Sequence, residues 1–253
     1  MTSNSILLLF AIINVVVTGL FAGVVLSQYI QRQRNFQLYW SIALIMAFLA
    51  TLAYIFMVIV GPTTIAGIVF YRIYYILGAA LTAAWLGQGS IALVANPRVT
   101  RICLVVLSVL SVIAIVLISI SSLNMSNLGS VVGTAGTGIL ESGVALAIIP
   151  ILNIAGLLAV AGVAVYSGWK LARRQSSVAG VQTINLLWAN VLILVGVLLV
   201  GLAGSSSRFF GLEGSFWIIQ AIGWTVLFAG VLIASHRPAT ARQTGPEKAS
   251  MPV

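Results

Sequence analysis

Residues 6–29 read ILLLFAIINVVVTGLFAGVVLSQY. A helix needs roughly 20 mostly apolar residues to cross a hydrocarbon core of about 30 Å, and this run is long enough. It has no Lys or Arg before it and no small-residue cleavage pattern behind it, and it outruns the apolar part of a secretory leader. It therefore reads as a membrane helix that stays in the protein. Six further segments have the same character. Together the seven run approximately Ser5–Tyr29, Leu38–Val60, Ile65–Val94, Ile102–Ser122, Leu146–Trp169, Val178–Ala203 and Ser215–Ser235. The expected fold is all-α, a polytopic bundle of seven transmembrane helices.

Composition leaves little room for another class. Of 253 residues, 61% are hydrophobic and 6% charged, against about 25% charged in a soluble domain. So few charges cannot cover a globule without large apolar patches in water. The formal net charge is +9, yet the basic residues sit in short separated loops, which excludes a nucleic-acid face. They read as a topology signal instead. Arg32, Arg34, Arg98, Arg101, Lys170, Arg173, Arg174, Arg237, Arg242 and Lys248 fall on one side, and only Arg72 and Arg208 on the other. The first side is expected to be cytoplasmic, with the N-terminus outside and the C-terminus inside a bacterial plasma membrane. Residues 1–236 form the transmembrane domain in this reading, and residues 237–253 a short polar tail, expected to be disordered. The longest connection, Leu123–Ala145, is rich in Gly, Ser, Asn and Thr and too short for a second domain.

Small residues mark where helices can approach closely: Gly19 and Gly23 in the first span, Gly156 and Gly162 in the fifth, Gly223 and Gly230 in the seventh. Pro150 is expected in the first turns of the fifth span, where a missing N–H is tolerated. A single cysteine, Cys103, excludes an internal disulfide and any multi-cysteine metal site.

The chemistry missing from the spans is informative. Ion-coupled transporters place Asp, Glu, His or Lys inside the bundle, whereas Glu141, Glu213 and Glu247 fall in loops or the tail and Asp is absent. A Schiff-base retinal would need a lysine in the last span, and Phe216–Thr225 contains none. Lys170, at the end of the fifth span beside Arg173 and Arg174, reads as an anchor. The lone histidine, His236, stands at the membrane boundary without a second ligand for haem or metal. No nucleophile has a buried base beside it. The expectation is a protein that is not an enzyme and holds no cofactor or metal.

Two features remain as candidates. Arg72, in Phe70–Tyr75, lies near the outer end of the third span, because Ile73–Val94 can cross unaided. It reads as a snorkelling belt residue or as an arginine at the mouth of a pocket, recognising an anion or pairing with Glu141. Trp40, Trp169 and Trp217 fall at span ends, where belt tryptophans belong. Trp85, Trp188 and Trp224 fall near mid-span, each with an amide at helical spacing: Gln88, Asn185 and Gln220. Asn14, Thr18, Thr82 and Asn153 are further uncharged polar groups at depth. This set is either helix glue or the lining of an uncharged pocket formed by Trp85, Trp188, Trp224, Asn153, Gln220 and Gln88, shaped for a small apolar ligand or lipid.

The topology, the aromatic start of the third span in Phe70–Tyr75, and Trp85-Leu86-Gly87-Gln88-Gly89 followed by Asn96-Pro97-Arg98 resemble the seven-helix sensory membrane regions that precede bacterial histidine kinases. The resemblance implies a sensor. This chain carries no kinase after its last span, so a sensor of this kind would signal through a separate cytoplasmic or membrane partner. A facilitator for a neutral or lipidic substrate and a structural subunit of a membrane complex are the alternatives, with membrane lipids as common partners.

Overall fold

The computed structural model describes residues 3–132, 134, 136–141, 143–174, 181–211 and 213–235. His236 and the tail lie outside them. Among the described residues the chain is helical, with one isolated bridge between Leu123 and Leu140 and no strand. Seven helices are long and apolar enough to cross a membrane: α1 (Ser3–Arg32), α2 (Asn35–Val60), α3 (Ile65–Val94), α4 (Pro97–Ile120), α5 (Val144–Arg174), α6 (Val181–Phe210) and α7 (Phe216–Ser235).

Local chemistry sets several of the ends. The α3 N-terminus is capped by Thr64, whose hydroxyl accepts the Gly67 N–H at 3.0 Å, after a turn in which Gly61 takes φ +91°. Asn96 accepts the Val99 N–H at 2.9 Å, with Pro97 in the first helical turn where its missing N–H removes nothing. Helix α5 extends beyond its predicted span at both ends, and α6 past its C-terminal end. Hydropathy ends where the hydrocarbon ends, while the hydrogen-bonded backbone runs on into more polar sequence. Pro150 is consequently the seventh residue of α5, deeper than expected.

The helices α1, α2, α3, α5, α6 and α7 pack in that order as a closed ring, in which α7 returns to α1. The remaining helix, α4, leans on α3 from outside. Its Val105, Val109, Val112 and Val116, at spacings of three and four, are all exposed. Such a stripe is tolerable in lipid and not in water.

The ring closes through glycines. A Cβ on Gly156 of α5 would lie 2.2 Å from the Ala83 carbonyl oxygen of α3, and one on Gly87 would meet the Gly156 Cα at 2.9 Å. Between α6 and α7, a Cβ on Gly196 would reach the Leu227 nitrogen at 2.5 Å, and one on Gly223 the Val200 nitrogen at 2.9 Å. Gly23 and Gly162 have nothing within 4 Å of a built Cβ, so they mark no crossing.

The basic residues Arg32, Arg34, Arg98, Arg101, Lys170 and Arg173 gather at one end of the bundle. There Arg173 lies 3.9 Å from the Trp169 ring centroid and Lys170 5.8 Å from that of Tyr166. At the opposite end the α4–α5 connection folds back over the ring, burying Leu128, Val131, Ile139 and Leu140. Tyr54 and Tyr71 donate to its Val131 and Gly136 carbonyls at 3.4 and 3.2 Å.

Candidate functional site

A partly open cavity of about 280 Å³ lies between α2, α3, α5, α6 and α7. Thr137 of the covering connection, Phe216 and Trp217 stand among its lining residues toward one end; Leu86, Val160 and Trp224 stand toward the other. No Lys, Arg, Asp, Glu or His is among its described lining residues.

One wall is a break in helical regularity. Residues Tyr75–Leu81 form a π-helical segment, in which the Thr82 N–H reaches back to Leu77 O. Such segments are short, rare and frequent at functional sites. Gly78 and Ala79 of this segment line the cavity. At Gly78 a Cβ would crowd Ala50 of α2 at 3.1 Å. The disturbed carbonyls find side-chain donors: Thr82 Oγ1 donates to Leu77 O at 2.7 Å and Asn153 Nδ2 donates to Ala79 O. Asn153 Nδ2 also donates to Ile149 O at 3.0 Å. An amide of α5 thus stitches the irregular turn of α3 in place.

The candidate residues separate into three groups. Asn153, Gln220 and Trp224 line the cavity. Trp224 is 2% exposed and meets Phe21 edge-on, with ring centroids 6.4 Å apart. Trp85 and Gln88 do not line it. Trp85 Nε1 donates to Ser111 Oγ at 3.3 Å and Gln88 Nε2 to the Thr100 carbonyl at 2.9 Å, and both bonds fasten α4 to α3. Trp188 is 60% exposed on the outside of α6. The inward face of α6 carries Ala189 and Val197, eight residues apart, which leaves Trp188 rotated away from the ring.

Trp217 belongs to the site, although its place at a span end suggested a belt residue. It is 1% exposed, with its ring 4.5 Å from Tyr54 and 6.2 Å from Tyr74. The α4–α5 connection covers this end of the ring, so a helix terminus here is interior. Two polar atoms of these lining residues are buried without a partner: Gln220 Oε1 and Trp217 Nε1. Asn14 joins the same region from α1, donating to Phe10 O at 2.8 Å and Trp217 O at 3.1 Å.

Arg72 lies apart from the cavity. Its guanidinium donates to the carbonyls of Ile118, at 2.7 Å, Ser119, and Ser121, at 3.0 Å. These are the unpaired acceptors at the α4 C-terminus, where the helix dipole favours a cation. The side chain is a cap supplied in trans by α3. Arg72→Met should lower the melting temperature by roughly 3 to 10 °C, since charge-assisted capping contributes about 1 to 3 kcal/mol. Lysine at this position should recover only part of that, because an ammonium cannot span three carbonyls as a planar fork does. Equal melting of Arg72→Met and the parent chain would refute the capping role.

Comparison with family models, curated proteins and solved structures gives no match to this chain.

Proposed function

We propose that this chain is a multi-pass membrane protein that binds a small, neutral, mainly apolar molecule or lipid in the cavity inside its helix ring. The observation that carries the reading is the conjunction of an uncharged cavity of about 280 Å³ with a buried, unpartnered Gln220 Oε1 on its wall. Buried polar atoms in native structures normally have a partner. A cavity with orphaned polar groups among apolar and aromatic walls fits a ligand site better than a packing defect.

In this reading the protein is not an enzyme and acts as a sensor, passing occupancy of the cavity to a separate cytoplasmic or membrane partner. The basic end faces the cytoplasm, following the bias of Lys and Arg toward that side, and places Arg32, Arg34, Arg98 and Arg101 where anionic lipid or a partner can meet them. A facilitator that moves a neutral substrate through the same cavity is the second reading, favoured by the cavity's being partly open. Flux into proteoliposomes separates the two.

Trp217 and Trp224 both line the cavity, so ligand entry should alter tryptophan emission. Purified protein in lipid nanodiscs, titrated with a panel of apolar alcohols, terpenoids and lipids, should show a saturable change with at least one compound. Val197→Phe, which adds a ring to the cavity wall, should reduce that affinity more than ten-fold while leaving the helical circular dichroism unchanged. Emission insensitive to every compound, or an unaltered response in the Phe variant, would count against the reading.

A further inference from the structure

We propose that the occupant is an apolar alcohol or phenol that donates its hydroxyl proton to Gln220 Oε1, an inference that rests on reading the cavity as a ligand site. Three polar side chains of the wall have their protons committed to backbone carbonyls. Thr51 Oγ1 donates to Ala47 O at 3.0 Å and Thr82 Oγ1 to Leu77 O at 2.7 Å, which commits the single proton of each hydroxyl. Both amide protons of Asn153 are committed as well, to Ala79 O and Ile149 O. What these three side chains still present is lone pairs. Gln220 adds a buried oxygen that has no donor at all.

A group that pairs with Gln220 Oε1 must therefore bring a proton. Ketones, aldehydes, esters and ethers only accept, and would leave Gln220 Oε1 desolvated and unpaired. An ammonium would bring protons and also an uncompensated charge, which a wall without an acid does not neutralise. A neutral hydroxyl fits both conditions. It also retains lone pairs, and Trp217 Nε1, a buried indole N–H without a partner, sits three residues before Gln220 on the same face of α7. One hydroxyl can donate to the amide oxygen and accept from the indole.

Size narrows the class. A cavity of 150 Å³ holds benzene, so by proportion about 280 Å³ holds roughly 11 heavy atoms. Geraniol and 1-decanol have that size on branched and linear scaffolds. Each should be titrated into the full chain in nanodiscs beside its aldehyde and its methyl ether, with concentrations expressed per lipid, reading tryptophan emission and the thermal shift. At least one alcohol is expected to bind roughly ten-fold more tightly than its aldehyde and ether. Gln220→Met should bring the three within about two-fold of one another. Equal or tighter binding of the aldehydes by the parent chain would overturn the proton-donor assignment while leaving the cavity reading in place. Binding of none of the six compounds would overturn both. The parent chain alone decides the alcohol preference, so the test survives a Gln220 variant that fails to fold.

Discussion

Gly156→Ala is expected to disrupt the bundle, with a loss of about 3 kcal/mol or more and a fall in melting temperature of order 10 °C. The methyl group would arrive 2.2 Å from the Ala83 carbonyl oxygen, 2.3 Å from its carbon and 2.6 Å from the Ala84 nitrogen. All three are backbone atoms of α3, and no rotamer change can move them aside. Relief requires α3 and α5 to separate along their crossing. That motion would also pull Asn153 away from Ala79 O, exposing a π-helical carbonyl that has no other side-chain donor among the bonds described. In lipid such a group has no water to turn to. Gly162→Ala, six residues later on the same helix, is the control: nothing lies within 4 Å of its built Cβ. It should leave melting unchanged or raise it slightly, since alanine is the better helix former. Thermal unfolding of both variants in one detergent checks the pair, and equal behaviour would refute the crossing.

Gly196→Ala is expected to have a comparable effect by a different route. Here the new methyl would lie 2.5 Å from the Leu227 nitrogen and 2.7 Å from its Cα, at the crossing of α6 and α7. Gly223 and Gly230 repeat the close approach along the same interface, with built Cβ atoms 2.9 Å from the nitrogens of Val200 and Ile193. Three backbone approaches on one seam allow no local pivot. Separating α6 from α7 shifts Val197 and Trp224 together, and both line the cavity. Loss of stability should therefore be accompanied by loss of the ligand-dependent tryptophan response, even below the melting transition. A destabilised Gly196→Ala protein that kept its full response would disconnect this seam from the cavity.

The sequence made the seven helices legible because the hydrocarbon core tests every residue of a span. Azimuth was not legible. The outside of a membrane bundle is as apolar as its inside, so no amphipathic pattern says which way a side chain faces. Trp188 and Trp224 looked alike on paper, each a mid-span tryptophan near an amide; one faces outward from α6 and the other meets Phe21 inside the ring. Trp217 was hidden for another reason, since the rings packed on it, Tyr54 and Tyr74, come from helices far away in the chain. The π-helical turn was equally silent. Tyr75–Leu81 has an ordinary composition, and one inserted residue leaves no mark in it. Glycine spacing identified α5 and α7 as sites of close approach but not their partners Gly87 of α3 and Gly196 of α6, and only the packing separates Gly156 from Gly162 and leaves Gly23 with nothing within 4 Å.

The position of α4 also makes chain order and spatial order disagree. The polypeptide leaves the circle after α3 and rejoins it at α5, so α3 and α5 become neighbours although a complete span lies between them. None of the residues on the cavity wall comes from α4. That satellite helix is pinned near its two ends and middle by the Gln88–Thr100, Trp85–Ser111 and Arg72–Ile118 bonds. The enclosure and its outrigger are thus separable constructions, and sequence drift along the α4 outer stripe can proceed without altering what the interior recognises.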